Sequence, residues 1–201
     1  MVITWHGDTC FTIKNKKTNL VIDPYKDIKE APNKADVVLV GNENRELVKF
    51  PEETIIFNWP GEYETRGIPI IALKAWDKSL SDEKDKNKGN QVNVFKFEVE
   101  GINICHLTNI GHSIKSDMVE DLGDIDVLFI PAGDSGNLPA KKAHEILEQI
   151  DPRAIILMGK GSFAEFLKES GAQIEEREKF EVTVKSQFQE DRTEYVLLQK
   201  S

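Results

Sequence analysis

The sequence predicts an α/β fold made of two mixed β-sheets packed face to face, with helices on the outside. Two observations carry this expectation. The first half of the chain reads as a series of short strands, and the second half alternates buried strands with amphipathic helices. The length of 201 residues suits a single domain over residues 1–201, with enough chain to bury a real core, and no repeat at a solenoid period divides it.

The elements follow in order. "VITW", "CFTIK" and "NLVID" form an antiparallel meander, with the basic "KNKK" (14–17) read as a solvated hairpin turn. "DVVLV" is a continuous apolar run, as expected of a strand covered on both faces. "TIIFN", "IPIIAL", "NVFKFEV" and "INICHL" extend the strand series, and "VEGI" supplies a hairpin turn at Gly101. The stretch "DKSLSDEKDKNKGN" is nearly free of apolar residues and predicts a mobile polar loop at about 77–91, flanked by two strands of one sheet. "SDMVEDLG" predicts a short helix with Ser116 as N-cap and Gly123 as its stop. "DVLFIPA" and "AIILM" are buried strands around the helix "LPAKKAHEILEQI", whose inner face is Ala143, Ile146, Leu147 and Ile150. "SFAEFLKESG" predicts a helix opened by a capping box of Ser162 and Glu165 and closed at Gly171, and "FEVTVK" and "TEYVLLQ" close the chain as strands.

Composition narrows the function classes. A formal net charge of −9 disfavours a nucleic-acid partner, because phosphate binding draws on clustered Lys and Arg. No apolar run approaches the roughly 20 residues of a membrane span, and "MVITWHGDTCF" lacks the basic and apolar regions of a signal peptide. Cys10 and Cys105, both in apolar strand-like runs, are expected to be reduced and buried in a cytoplasmic protein.

Several phrases occur in a fixed order: "ITWHGDTCF", "LVIDPY", "ADVVLVGNENREL", "PGEYETRGIPI", "FEVEGINICHLTNIGH", "IDVLFIPAG" and "PRAIILMGKG". Together they resemble the metallo-β-lactamase superfamily, in particular its small prokaryotic branch of metal-dependent hydrolases, over nearly the whole chain. The resemblance implies a four-layer αβ/βα sandwich with one or two metal ions where strand ends of the two sheets meet. It also implies a His-x-His-x-Asp-His run directly after the strand "DVVLV". Here those positions fall on Asn42, Asn44, Glu46 and Leu47. The next ligand histidine falls on Trp76, the bridging aspartate on Asn109, and the last histidine on Gly159 or Lys160. The amino-terminal glycine-histidine reads Gly7-Asp8. Zinc takes imidazole, thiolate or carboxylate donors, and an asparagine carbonyl is a weak substitute. Zinc is expected for the family, but its ligands are absent here, so the sequence predicts no cofactor and no catalytic or metal-ligating residue.

What remains is a vestigial pocket, with Asp8, Asn42, Asn44, Glu46, Trp76, Asn109 and His112 as candidates for ligand binding. Trp76 and Leu47 are expected to make it apolar. Asp8, Glu46 and Asp134 are carboxylates at strand ends that could converge on a hard cation. His6 is placed near the pocket mouth, His106 within the strand as a structural residue, His112 as a turn residue held by backbone groups, and His144 facing solvent. Asp23 in "VIDPY" reads as a group behind the site or as a turn former. "PGEY" reads as structural. "GKGS" (159–162) before a helix is a weak anion-binding signal. The expected function is therefore a non-catalytic pseudoenzyme that binds a small molecule or a protein partner. The alternatives are a hydrolase with a rearranged or hard-cation site, and a structural subunit that pairs with itself or with an active relative.

Overall fold

Apolar alternation decides which strands are covered on one face and which on two, and that decision lays out the whole architecture. The computed structural model describes residues 1–78, 89–188 and 192–201. Strands β1 (Val2–Gly7), β2 (Cys10–Lys14) and β3 (Asn19–Ile22) form the antiparallel meander. The turn at 15–18 closes when the Asn15 side chain accepts the N–H groups of Lys17 and Thr18. Strands β4 (Val37–Leu39) and β5 (Ile55–Phe57) join in parallel, so this sheet runs outward from β1 to a free edge at β5.

The second sheet begins with the antiparallel run β6 (Gly61–Thr65), β7 (Ile68–Trp76), β8 (Gln91–Val99) and β9 (Ile102–His106). It then turns parallel through α1 (Ser116–Leu122), β10 (Val127–Pro131), α2 (Ala140–Ile150), β11 (Ala154–Met158) and α3 (Ala164–Ser170). β12 (Ile174–Arg177), β13 (Phe180–Glu181) and β14 (Glu194–Leu198) finish the chain. β13 crosses to pair with β1, giving a six-stranded sheet β13-β1-β2-β3-β4-β5 and an eight-stranded sheet β12-β14-β11-β10-β9-β8-β7-β6. All five residues of β10 and of β11 are buried, as strands covered on both faces require. Among the described residues no helix is long and apolar enough to cross a membrane.

The α/β sandwich stands, with three local corrections. Among the described residues the three α-helices all belong to the crossovers of the second sheet. Over the outer face of the first sheet, where a helical layer was expected, the described residues place irregular chain: Tyr25, Ile28, Ala31, Leu47 and Phe50 pack on Cys10, Val38 and Val40 as a second, smaller core. Ser116 is the first residue of α1, not its cap, and Ser162 accepts the N–H of Ala164, so no box with Glu165 forms. "FEVTVK" contributes only the two-residue β13, while "IEER" forms a strand that its charge concealed. Most of the expected 77–91 loop, residues 79–88, lies outside the described residues; its ends are joined where the Asp77 carboxylate accepts the Asn90 N–H at 2.7 Å.

Strand direction fixes where function can sit. β7 is antiparallel to β8 and β8 to β9, so β7, β9, β10 and β11 all end on the same side of their sheet. The first sheet reaches that side at Gly41, whose carbonyl accepts the Asn93 N–H at 2.7 Å, and at Asp8, whose carbonyl accepts the Gly159 N–H at 3.0 Å. A methyl group on Gly41 would lie 2.2 Å from Cγ2 of the buried Thr108. We expect Gly41→Ala to cost about 1–3 kcal/mol of stability by overpacking this seam. Urea unfolding should show part of that loss recovered in the Gly41→Ala, Thr108→Ser double variant.

Candidate functional site

The site is built on a buried carboxylate. Directly after β3 comes Asp23, which takes a left-handed backbone angle (φ 51°) before Pro24 and turns the chain sharply. Its Oδ1 accepts the Tyr25 hydroxyl at 2.7 Å and the Gly41 N–H at 2.6 Å. The Tyr25 oxygen in turn accepts the Asn42 N–H at 2.7 Å. One carboxylate and one phenol thus hold the end of β4 and the first residue of the segment after it. Burial pushes the Asp23 carboxyl up to about 6, and the Gly41 N–H and Tyr25 hydroxyl keep it from rising further.

From Asn42 the chain turns on itself. The Asn42 side chain accepts the Asn44 N–H at 3.0 Å, and its carbonyl accepts the Arg45 N–H at 3.2 Å. This turn sends Arg45 inward, and Arg45 belongs to the candidate site although the sequence pattern did not single it out. Its guanidinium lies 3.8 Å from the centroid of the Tyr25 ring, donates to both oxygens of Asp27 at 2.7 and 2.8 Å, and reaches Asp8 Oδ2 at 3.1 Å. Lys160, at the end of β11, lies 3.4 Å from Asp8 and 3.6 Å from Asp27. Two cations and two carboxylates therefore alternate at the seam between the sheets. Desolvation works against the charged form of Asp27, but hydrogen bonding and charge from Arg45 outweigh it and hold the carboxyl below its usual range. A signal for this existed in the sequence, since Arg45 and Lys160 stand within or beside ligand positions of the family pattern.

The remaining candidates divide. Glu46 points away from the seam and pairs with Lys26. Leu47 bridges to Tyr25 and packs in the small outer core, so it shares no wall with Trp76. Asp134 accepts the Ser162 N–H at 3.0 Å, so a carboxylate of the chain itself takes the place that an anion at "GKGS" would have. The convergence of Asp8, Glu46 and Asp134 on a cation is thus not what the structure builds. Among the described residues no three His, Cys, Asp or Glu side chains group as a metal-holding cluster. The Cys10 and Cys105 thiols are free and buried, and burial raises both.

Trp76 and His112 do come together. His112 Nε2 accepts the Trp76 N–H at 3.1 Å, which leaves Nδ1–H to donate to the Ser113 carbonyl at 2.8 Å and fixes a neutral tautomer. Burial lowers its pKa accordingly. The two line an open cavity of about 720 Å³ with Leu73, Lys74, Ile114 and Met118, and none of Asp8, Asn42, Glu46 or Asn109 borders it. Asn109 is half-buried just after Thr108, which has φ 49°. His106 is fully buried, donating from Nε2 to the Thr9 carbonyl and accepting the Thr108 N–H at Nδ1; burial pushes its pKa down to about 3. His6 bonds Thr12 and Ser201. His144 does not face solvent freely: it stacks on Phe166 with ring centroids 4.5 Å apart and bonds the Phe166 carbonyl, joining α2 to α3.

Two sheets whose strand ends share one face, with a loop after β4 and others after β7, β9 and β11, define a protein of the metallo-β-lactamase type. The sequence model for the Beta-lactamase superfamily domain matches residues 2–159, and the chain belongs to that superfamily. A UPF0173 protein of Pyrococcus furiosus is 27% identical over 183 residues, 82% of this chain and 86% of the relative. The UPF0173 metal-dependent hydrolase YtkL of Bacillus subtilis is 22% identical over 78% of this chain and 84% of the relative. A crystal structure from Thermotoga maritima, assigned to the Zn-dependent hydrolases of the superfamily, superposes with a TM-score of 0.77 at 28% identity, covering 98% of this chain and 97% of its own.

Two outcomes follow from the geometry. Asp23 holds its proton more tightly folded than unfolded. Its stabilising share is complete below about pH 4 and is lost as pH rises through about 6, a change of roughly 3 kcal/mol. Urea unfolding between pH 4 and 7 should show that fall in the natural chain and a flat difference in Asp23→Asn. Arg45→Met should cost about 1–2 kcal/mol, and the gap between it and the natural chain should narrow in high salt.

Proposed function

We propose that this chain is a metallo-β-lactamase-fold protein that acts by binding, its former catalytic end tied by ion pairs instead of being organised around a metal ion. The observation that carries the reading is the network of Arg45, Asp8, Asp27 and Lys160. Both cations come from segments where the family pattern places metal ligands. A divalent ion beside Asp8 and Asp27 would have to displace a guanidinium and an ammonium that already balance their charge, and the residues present do not fit it. The bound species is a small molecule or a protein partner, for which the cavity at Trp76 offers one apolar wall. Cytoplasmic residence belongs to the same reading and is supported by the two free, buried thiols.

The relatives' names support the second reading better than the first: a hydrolase of the superfamily with a rearranged or hard-cation site. Relatives from Archaeoglobus fulgidus and Bacillus subtilis carry the name metal-dependent hydrolase. In that reading Asp8, the carboxylate nearest the seam, is the residue that a reaction would require.

Metal analysis of protein purified without chelator separates the two. We expect zinc, iron and manganese far below one equivalent, and thermal unfolding unchanged by EDTA. A full equivalent of tightly held metal overturns the binding reading. So does turnover of phosphodiester, lactone or ester substrates that disappears in Asp8→Asn.

A further inference from the structure

The outer edge of the first sheet is where apolar surface is left uncovered. Among the described residues the exposed large hydrophobic side chains are Ile55 (37%), Ile56 (43%), Trp59 (64%) and Val184 (51%), and three of these fall at or just beyond β5. β5 is the terminal strand of its sheet. Edge strands present free main-chain groups, and proteins ordinarily blunt them with charge, proline or a covering element. Ile55-Ile56-Phe57 carries neither charge nor proline.

Which groups are free follows from the ladder. Ile55 N–H donates to the Asp36 carbonyl at 3.1 Å, and the Phe57 carbonyl accepts the Val40 N–H at 2.9 Å. Those two residues turn their main-chain groups toward β4, so strand alternation turns the N–H and C=O of Ile56 outward. We propose that this edge pairs with the same edge of a second copy, β5 against β5 about a twofold axis, joining the two six-stranded sheets into one. A twofold axis demands antiparallel strands. Centred on Ile56, it lets each Ile56 N–H donate to the other copy's Ile56 carbonyl.

Charge and shape favour a second copy as the occupant. Antiparallel alignment sets the end of one β5 against the start of the other, so Glu52 and Glu53 of the two copies are kept apart. The same alignment carries Trp59 of each copy toward the other's Glu53 end. There a groove of about 380 Å³ is lined by Lys34, Ala35, Asp36, Pro51, Glu53 and Arg66, with Arg66 paired to Asp36 at 3.3 Å. The apolar surface of Ala35 and Pro51 beside the Lys34 ammonium suits an indole, whose face attracts positive charge and which is enriched among interface anchors. Behind β5 the Phe57 ring lies 4.4 Å from that of Tyr63 on β6, an edge strand of the second sheet, so the contact has a firm backing. The inference is independent of whether the chain binds or hydrolyses.

Sedimentation velocity and light scattering over a concentration series test it. We expect a dimer. Ile56→Pro removes a donor that points out of the sheet, at an edge position where proline is tolerated, and should give a folded monomer. Trp59→Ala should weaken the dimer about tenfold or more, and it decides the matter alone if the proline variant does not fold. A natural chain that stays monomeric at its highest soluble concentration overturns the proposal. So does a dimer that persists unchanged in the folded variants.

Discussion

A carboxylate that is fully buried must be given donors, and the donors available to Asp23 are the groups that shape the functional end of this molecule. The Gly41 N–H and the Tyr25 hydroxyl satisfy it, and the Tyr25 oxygen passes the restraint on to Asn42. The end of β4 is therefore fixed before any side chain beyond it is chosen. Tyr25 does double service, because its ring is also the platform for the Arg45 guanidinium. Replacing Asp23 would alter the turn, the strand end and the position of Arg45 together.

The second constraint is charge. A metal centre of the superfamily concentrates positive charge at the seam between the sheets and needs imidazole and carboxylate donors to hold it. In this chain a guanidinium and an ammonium face two carboxylates at that seam. Such a network is neutral in sum. It also occupies both carboxylates, Asp8 and Asp27. Fold likeness supports the framework, and the reaction has to be argued from the donors.

The residues legible in the sequence were those whose role is local or periodic. The unbroken apolar runs of β10 and β11, the inner face of α2 at Ala143, Ile146, Leu147 and Ile150, and the Asp-Pro turn at Asp23 all follow from neighbours along the chain. Other assignments failed because distant partners decided them. The capping box at Ser162 and Glu165 did not form, and the Ser162 N–H bonds instead to Asp134, twenty-eight residues earlier. His144 reads as a surface residue of an amphipathic helix until α3 brings Phe166 beneath its ring. The charge of "IEER" hides a strand that exists because β14 lies beside it.

By itself the sequence determined the two-sheet α/β sandwich and most of its strands and helices. Those are properties of residue type and spacing, which periodicity settles without coordinates. Only the tertiary structure decided which charges meet at the seam and where each acid points. Asp8 and Asp27 face Arg45 and Lys160 because the end of β11 meets the turn after β1. Glu46, one residue from Arg45, faces away because the backbone turn at Asn42 sets the two side chains in different directions.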